Sequence, residues 1–245
     1  MSYCAVITAG GRVDGAFAGV LGTPVKALAP FGNATFLQIT IDALRGAGIE
    51  RIAVVGGDDV RSACEGCVEQ FIDESSGGAE NLRRALHAWS ADAPLLYLAS
   101  DMPFITAQTM RVFLARVPEA TLVLPLTQWE EFDRRFPGAP PFGITLAGER
   151  VVNGGAFVIP AHAHDRIEHF AMRFFDARKS VWRMARLTGP TLLLQFVFRR
   201  LGVARLEAHA RRLLGVPALA LRNAPPELAY DVDVLEEYRY ALAHG

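Results

Sequence analysis

Lysine is nearly absent from this chain. Of its 25 Lys and Arg residues, only Lys26 and Lys179 are lysines. Lys26 closes a glycine-punctuated stretch, "GGRVDGAFAGVLGTPVK", that follows the apolar run "YCAVITA" at residues 3–9. The apolar run has the look of a buried strand that ends at Ala9. Gly10 and Gly11 then stand at its carboxyl edge, where an open α/β sheet places its ligands. Paired glycines let backbone N–H groups come close to an anion, and a lysine adds a compact point charge. A second acidic feature lies downstream. In "YLASDMPF", Asp101 ends an apolar run, a place where packing gives no reason for an acid. An aspartate that caps a turn before proline is the plainer account of Asp101, and a glycine turn without a ligand is the plainer account of residues 10–26.

Two familiar phosphate loops do not fit. A P-loop needs Gly-Lys-Ser/Thr leading into a helix, and Lys26 is followed by Ala27. A dinucleotide fingerprint needs G-x-G-x-x-G, which "GGRVDG" does not match.

These residues need elements to hold them. Apolar runs alternate with amphipathic stretches, which argues for βαβ units and a mostly parallel sheet. Strands are expected at 3–9, 51–57, 67–73, 93–104, 120–126 and 216–222. Helices are expected at 36–48, 79–90, 106–117 with Thr106 as N-cap, and 233–244. The Pro- and Gly-rich stretch 127–160 reads as a β-ribbon excursion, and 161–215 as a helical insert whose cations are mostly arginine. No linker or repeat breaks the chain, so a single α/β domain, a three-layer sandwich, is expected.

Composition narrows the class. The formal net charge is −1, which gives no electrostatic drive toward nucleic acid. Three cysteines do not make a disulfide framework and suit a reducing cytoplasm. No apolar stretch reaches the roughly 18 residues of a spanning helix. The C-x-x-C at 64–67 lacks a second pair, and "HAHD" at 162–165 reads as a surface turn. The arginine-rich helices of 166–215 read as an insert packed on the sheet, with a membrane surface or a large acidic acceptor as the other account.

"VITAGG" and "TPVKALAPFGNATFLQITIDALRGAGIERIAVVGG" resemble the nucleotidyltransferases that include molybdenum-cofactor guanylyltransferase and the sugar-1-phosphate and isoprenoid-precursor enzymes. The resemblance covers about 1–160 and 216–243. It implies a loop, Ala9 to Arg12, that wraps the nucleotide phosphates, with Lys26 on the α-phosphate. The Arg-Met-Gly of many relatives is missing, and Arg12 is the one other basic residue offered to the phosphates. Mg²⁺ is implied, on Asp101 and on an acid of "AYDVDVLEEY". Asp233 is the favoured second ligand with Asp231 in support, although Asp233 could equally be a helix N-cap with Glu236 at N3. Gly77, Gly78 and Asn81 are implied at the nucleobase, and Asn153, Gly154 and Gly155 at the acceptor. Arg134 and Arg135 could meet an acceptor phosphate, although solvated charges explain them as well.

The activity so implied joins a nucleoside monophosphate from GTP or CTP to a phosphorylated small molecule and releases pyrophosphate. A nucleotide-binding regulator without turnover is the alternative from another class. A D-x-D sugar-nucleotide glycosyltransferase is disfavoured by Pro103.

Overall fold

The computed structural model describes residues 2–140, 142–177, 180, 183, 186–187 and 189–245. Lys179 lies outside the described residues. Eleven strands are present among them: β1 (Cys4–Thr8), β2 (Pro30–Phe31), β3 (Ala34–Thr35), β4 (Arg51–Gly56), β5 (Gln70–Asp73), β6 (Leu95–Ala99), β7 (Leu122–Gln128), β8 (Ile144–Leu146), β9 (Glu149–Asn153), β10 (Ala156–Ile159) and β11 (Ala218–Arg222). The helices are α1 (Gly15–Leu21), α2 (Phe36–Gly46), α3 (Asp58–Cys64), α4 (Gly78–Leu86), α5 (Ala107–Leu114), α6 (Trp129–Arg135), α7 (His164–Ala177), α8 (Pro190–Val197), α9 (Val203–Leu214) and α10 (Leu235–His244).

Nine strands form one sheet in the order β5-β4-β1-β6-β10-β7-β9-β8, with β11 also paired to β7. Strands β5, β4, β1 and β6 run parallel, and β10 runs against both β6 and β7. Within β1 every residue from Cys4 to Ile7 is buried. Ala5 and Ile7 face a core shared with α2, α3 and α5; Cys4 and Val6 face the core under α4, α7 and α9. A strand covered on both faces explains the unbroken apolar run. The expected mostly parallel sheet with a helical layer on each side is what the chain forms.

Local chemistry sets the helix starts. Thr35 and Thr106 accept from the N–H groups of Gln38 and Thr109, so Thr106 is the N-cap expected for α5. Three departures from expectation carry information. The stretch 10–26 is not all loop, because α1 sits inside it. Residues 127–160 begin with α6 before the β8–β9 hairpin, since Trp129, Phe132 and Phe136 supply helical rather than alternating apolar spacing. Helix α3 was not expected, because only Val60 and Cys64 of its seven residues are buried. The last helix begins one residue later than a cap at Asp233 requires. Glu237, not Glu236, closes the turn, accepting from the N–H groups of Asp233 and Val234 at 2.6 and 2.9 Å.

Candidate active site

The carboxyl ends of β1, β4, β5 and β6 open onto a cleft of about 830 Å³ lined by Gly10, Gly11, Lys26, Glu74, Ser100 and Asp101 among others. The loop after β1 is a closed structure. Ala9 N–H donates to Val55 O, Val13 N–H to Pro24 O, and Lys26 N–H to Gly11 O at 3.0 Å. The last bond fixes where Lys26 leaves the loop. A Cβ on Gly11 would stand 3.1 Å from Lys26 Cε and press the lysine away from its place. A Cβ on Gly10 would collide with the Glu74 carboxylate.

Lys26 Nζ donates to Asp101 Oδ2 at 2.5 Å, Asp233 Oδ1 at 2.6 Å and Val232 O at 3.0 Å. Three segments far apart in sequence therefore meet on one ammonium. Val232 N–H donates to Asp101 O at 3.0 Å, which locks the two acidic segments together. Val232 is buried, and Asp231 before it lies close enough to Asp101 and Asp233 to feel both charges. An aromatic cluster of Phe36, Phe104, Phe132, Phe136, Tyr230 and Tyr238 holds this segment, with Tyr230 edge-on to Phe104 at 4.9 Å.

Electrostatics follow from the crowding. Burial works against the Lys26 ammonium, yet Asp101 and then Asp233 hold its pKa above the usual lysine value. Asp231 is pushed up to about 7, first by burial and then by the nearby charges of Asp101 and Asp233. Three carboxylates around one lysine leave an excess of negative charge, which suits a divalent cation. Asp101 Oδ1 is buried and has no hydrogen-bond partner. That orphaned oxygen and the hard-oxygen donor set fit magnesium or manganese. No three His, Cys, Asp or Glu among the described residues form a ready-made metal cage. Magnesium does not need one, since it commonly takes one or two carboxylates together with substrate phosphate oxygens.

A glycine-rich loop, a lysine, one acid just past the end of β6 and a second just before α10 are the parts of a phosphate site. The model of the MobA-like NTP transferase domain matches residues 5–215. The chain belongs to this family. The match runs through the helical insert, which extends the resemblance past residue 160, and it stops before 216–243. No curated protein matches. A hypothetical transferase from Thermus thermophilus is 30% identical with a TM-score of 0.82, covering 97% of this chain and 99% of that one. A protein from Mycobacterium tuberculosis solved in complex with manganese is 18% identical with a TM-score of 0.54, covering all of both chains. The CTP:phosphocholine cytidylyltransferase of Streptococcus pneumoniae shares the fold at 13% identity and a TM-score of 0.53, with 99% of each chain covered. The chain is thus an NTP transferase with a nucleotide-diphospho-sugar transferase-like fold.

Within this family member, the remaining residues named from sequence fall in several places. Arg12 pairs with Glu74 at 2.7 Å and Asp59 at 3.4 Å, so its guanidinium is already engaged beside the cleft. Gly78 and Asn81 line the cleft, whereas Gly77 caps α4 behind it. The Asn81 amide is spent on the backbone of Ser75, accepting from its N–H at 2.6 Å and donating to its O at 3.1 Å. It shapes the turn after β5. Gly154 and Gly155 lie between β9 and β10. Their N–H groups donate to Pro125 O and Leu228 O, and a Cβ on either would meet a neighbour at 2.7 and 2.9 Å. Close packing is sufficient reason for both glycines. Asn153 is exposed and lines a second, apolar cavity. Arg135 pairs with Glu227 at 2.7 Å. Cys64 is buried with its thiol raised to about 11 by desolvation, and all three cysteines are free.

Sequence reading missed Glu74, Tyr97 and Ser100, which also line the cleft. Glu74 was findable as an acid just past a strand end. Tyr97 was hidden in the apolar run of β6.

Proposed function

We propose that this transferase moves a nucleoside monophosphate from GTP or CTP to a phosphorylated small molecule, with release of pyrophosphate. The observation that carries the reading is the ammonium of Lys26, held by Asp101 and Asp233 at the mouth of the glycine loop. Backbone around Ala9, Gly10 and Gly11 receives the triphosphate, and Arg12 flanks it. An oxygen of the acceptor phosphate bonds to the α-phosphorus as the bond to the pyrophosphate oxygen breaks. Lys26 stabilises the charge that gathers on the α-phosphoryl oxygens, and being a preorganised point charge it needs little reorganisation. Asp101 and Asp233, with Asp231 behind them, would hold Mg²⁺, which when bound would supply charge neutralisation for the phosphates. Gly77, Gly78 and Asn81 shape the base end of the cleft, and Asn153, Gly154 and Gly155 border the acceptor side. No covalent enzyme intermediate is required; position and charge suffice. Three free thiols support a cytoplasmic setting. Among the described residues no helix is long and apolar enough to cross a membrane.

The test is pyrophosphate release with each of the four ribonucleoside triphosphates, with Mg²⁺ or EDTA, against a panel of phosphorylated acceptors. Release that needs one triphosphate, one acceptor, the metal and Lys26 supports the reading. Triphosphate binding without release under any acceptor favours a regulator.

A further inference from the structure

The cleft does not end at its polar residues. Beyond Tyr97 and Phe157 it continues between the sheet and helices α7 and α9, over Ile167, Phe170, Phe174 and Leu214. A second cavity of about 430 Å³ shares Phe157, Phe170, Phe174, Ala210 and Leu214 with it and reaches Ile144 and Leu146 on β8. The second cavity is almost wholly apolar. Glu207 on its wall already accepts from Ala220 N–H at 2.9 Å, and His209 Nδ1 accepts from the Arg212 guanidinium at 3.0 Å. Asn153, at the end of β9, is the other polar residue lining it. From this cavity Leu192 leads to the outer side of α8. There Leu194, Phe196, Val197 and Phe198 are 46–67% exposed, and Arg199 and Arg200 follow.

An apolar channel joined to a phosphate site selects its ligand by chemistry. The phosphates of a nucleotide gain nothing from it, and the base is assigned above to the Gly78–Asn81 end of the cleft. A sugar phosphate would bring several hydroxyls to a wall that offers only Asn153 and His209 Nε2 as free polar partners, at about 1–3 kcal/mol for each hydroxyl left buried and unsatisfied. A phosphate on an apolar chain satisfies both parts. We propose that the acceptor is an amphiphile, a phosphate monoester whose head lies at the Lys26–Asp101 end and whose apolar part lies in the cavity under α7, α8 and α9. The proposal rests on the nucleotidyl-transfer reading above. The product is the same amphiphile joined through a diphosphate to the nucleoside, with pyrophosphate as the leaving group.

The first experiment needs no nucleotide. Binding of butyl, hexyl and octyl phosphate to the full chain is measured by calorimetry below their micelle concentrations. Affinity is expected to rise by about fourfold per buried methylene. That rise should vanish in Ala210→Glu, which puts a carboxylate in the shared wall, and weaken in Phe174→Ser, an exposed position where folding is not at risk. A flat series, or a rise untouched by both variants, overturns the proposal. Turnover is then measured with octyl phosphate in solution and with hexadecyl phosphate in phosphatidylcholine vesicles, beside glucose 1-phosphate. Turnover only from vesicles, or also from solution, supports an amphiphile and identifies its source. Efficient turnover of glucose 1-phosphate, unchanged in Ala210→Glu, sinks the amphiphile and keeps nucleotidyl transfer. A steep chain-length series with no pyrophosphate release from any triphosphate overturns nucleotidyl transfer, and with it the acceptor role of the cavity.

Discussion

Replacing Lys26 with methionine removes the charge and keeps most of the side chain's length. The structure allows the consequence to be worked out. Asp101 Oδ2 and Asp233 Oδ1 both touch Lys26 Nζ, at 2.5 and 2.6 Å. They are therefore no more than about 5 Å apart, and at an effective dielectric of about 20 two such charges repel by about 3 kcal/mol. The Asp101 side chain is 13% exposed and that of Asp233 is 69% exposed, so solvent reduces this figure. Two effects follow. Without metal, the variant should melt earlier than the parent by an amount that corresponds to a fraction of that repulsion. Adding Mg²⁺ should restore most of it, because a divalent cation between the carboxylates replaces the lost ammonium. In turnover, kcat at saturating triphosphate and Mg²⁺ should fall by about 10²–10³, the usual effect of removing one group that stabilises a developing oxyanion. Lys26→Arg should rescue poorly, since a planar fork does not replace a point charge between two acids. The assays are thermal melts in EDTA and in Mg²⁺, and steady-state pyrophosphate release. A kcat within tenfold of the parent refutes the role of Lys26 at the α-phosphate. Equal melting in EDTA refutes its role in balancing the two carboxylates.

Four further outcomes are expected. Asp231, with its folded pKa near 7 against about 3.9 unfolded, keeps its proton in the metal-free fold where the unfolded chain has lost it. Its contribution is fully present below about pH 4 and is lost as pH rises through 7; urea melts in EDTA should show that decline, and Asp231→Asn should flatten it. Tyr230→Ala empties the centre of the aromatic cluster and should cost about 3–5 kcal/mol, while Tyr230→Phe loses only the bond to Glu237 O and should cost about 1 kcal/mol by denaturant titration. Gly155→Ala places a methyl 2.9 Å from Met102 Sδ and should destabilise by about 1–3 kcal/mol in the same assay. Asn81→Ala frees the turn at Ser75 and should raise the KM for triphosphate more than it lowers kcat, whereas equal effects would place Asn81 closer to the reacting groups.

Much of this protein is written locally. Both faces of β1 are buried, so its residues had to be apolar without alternation, and that run identified the strand and the glycine edge after it. Thr106 announced α5 because a cap needs only its own first turn. Lys26 and Asp101 stood out because their residue types had no packing reason at those positions. What sequence could not supply was any relation set by distant backbone. Whether Asp233 was a cap or a partner of Lys26 turned on one residue of register, which Glu237 decided by closing the turn itself. Gly154 and Gly155 looked like contact points for a ligand, and their reason lies in Leu228 and Met102, far away in the chain. The apolar channel under α7 and α9 is a property of the assembled layers alone, because its walls come from β6, β7, β8, β10, β11 and three helices whose individual apolar faces each read as ordinary core. Residue type and spacing determined which groups could carry chemistry here. Packing between segments up to 207 residues apart decided which of them meet.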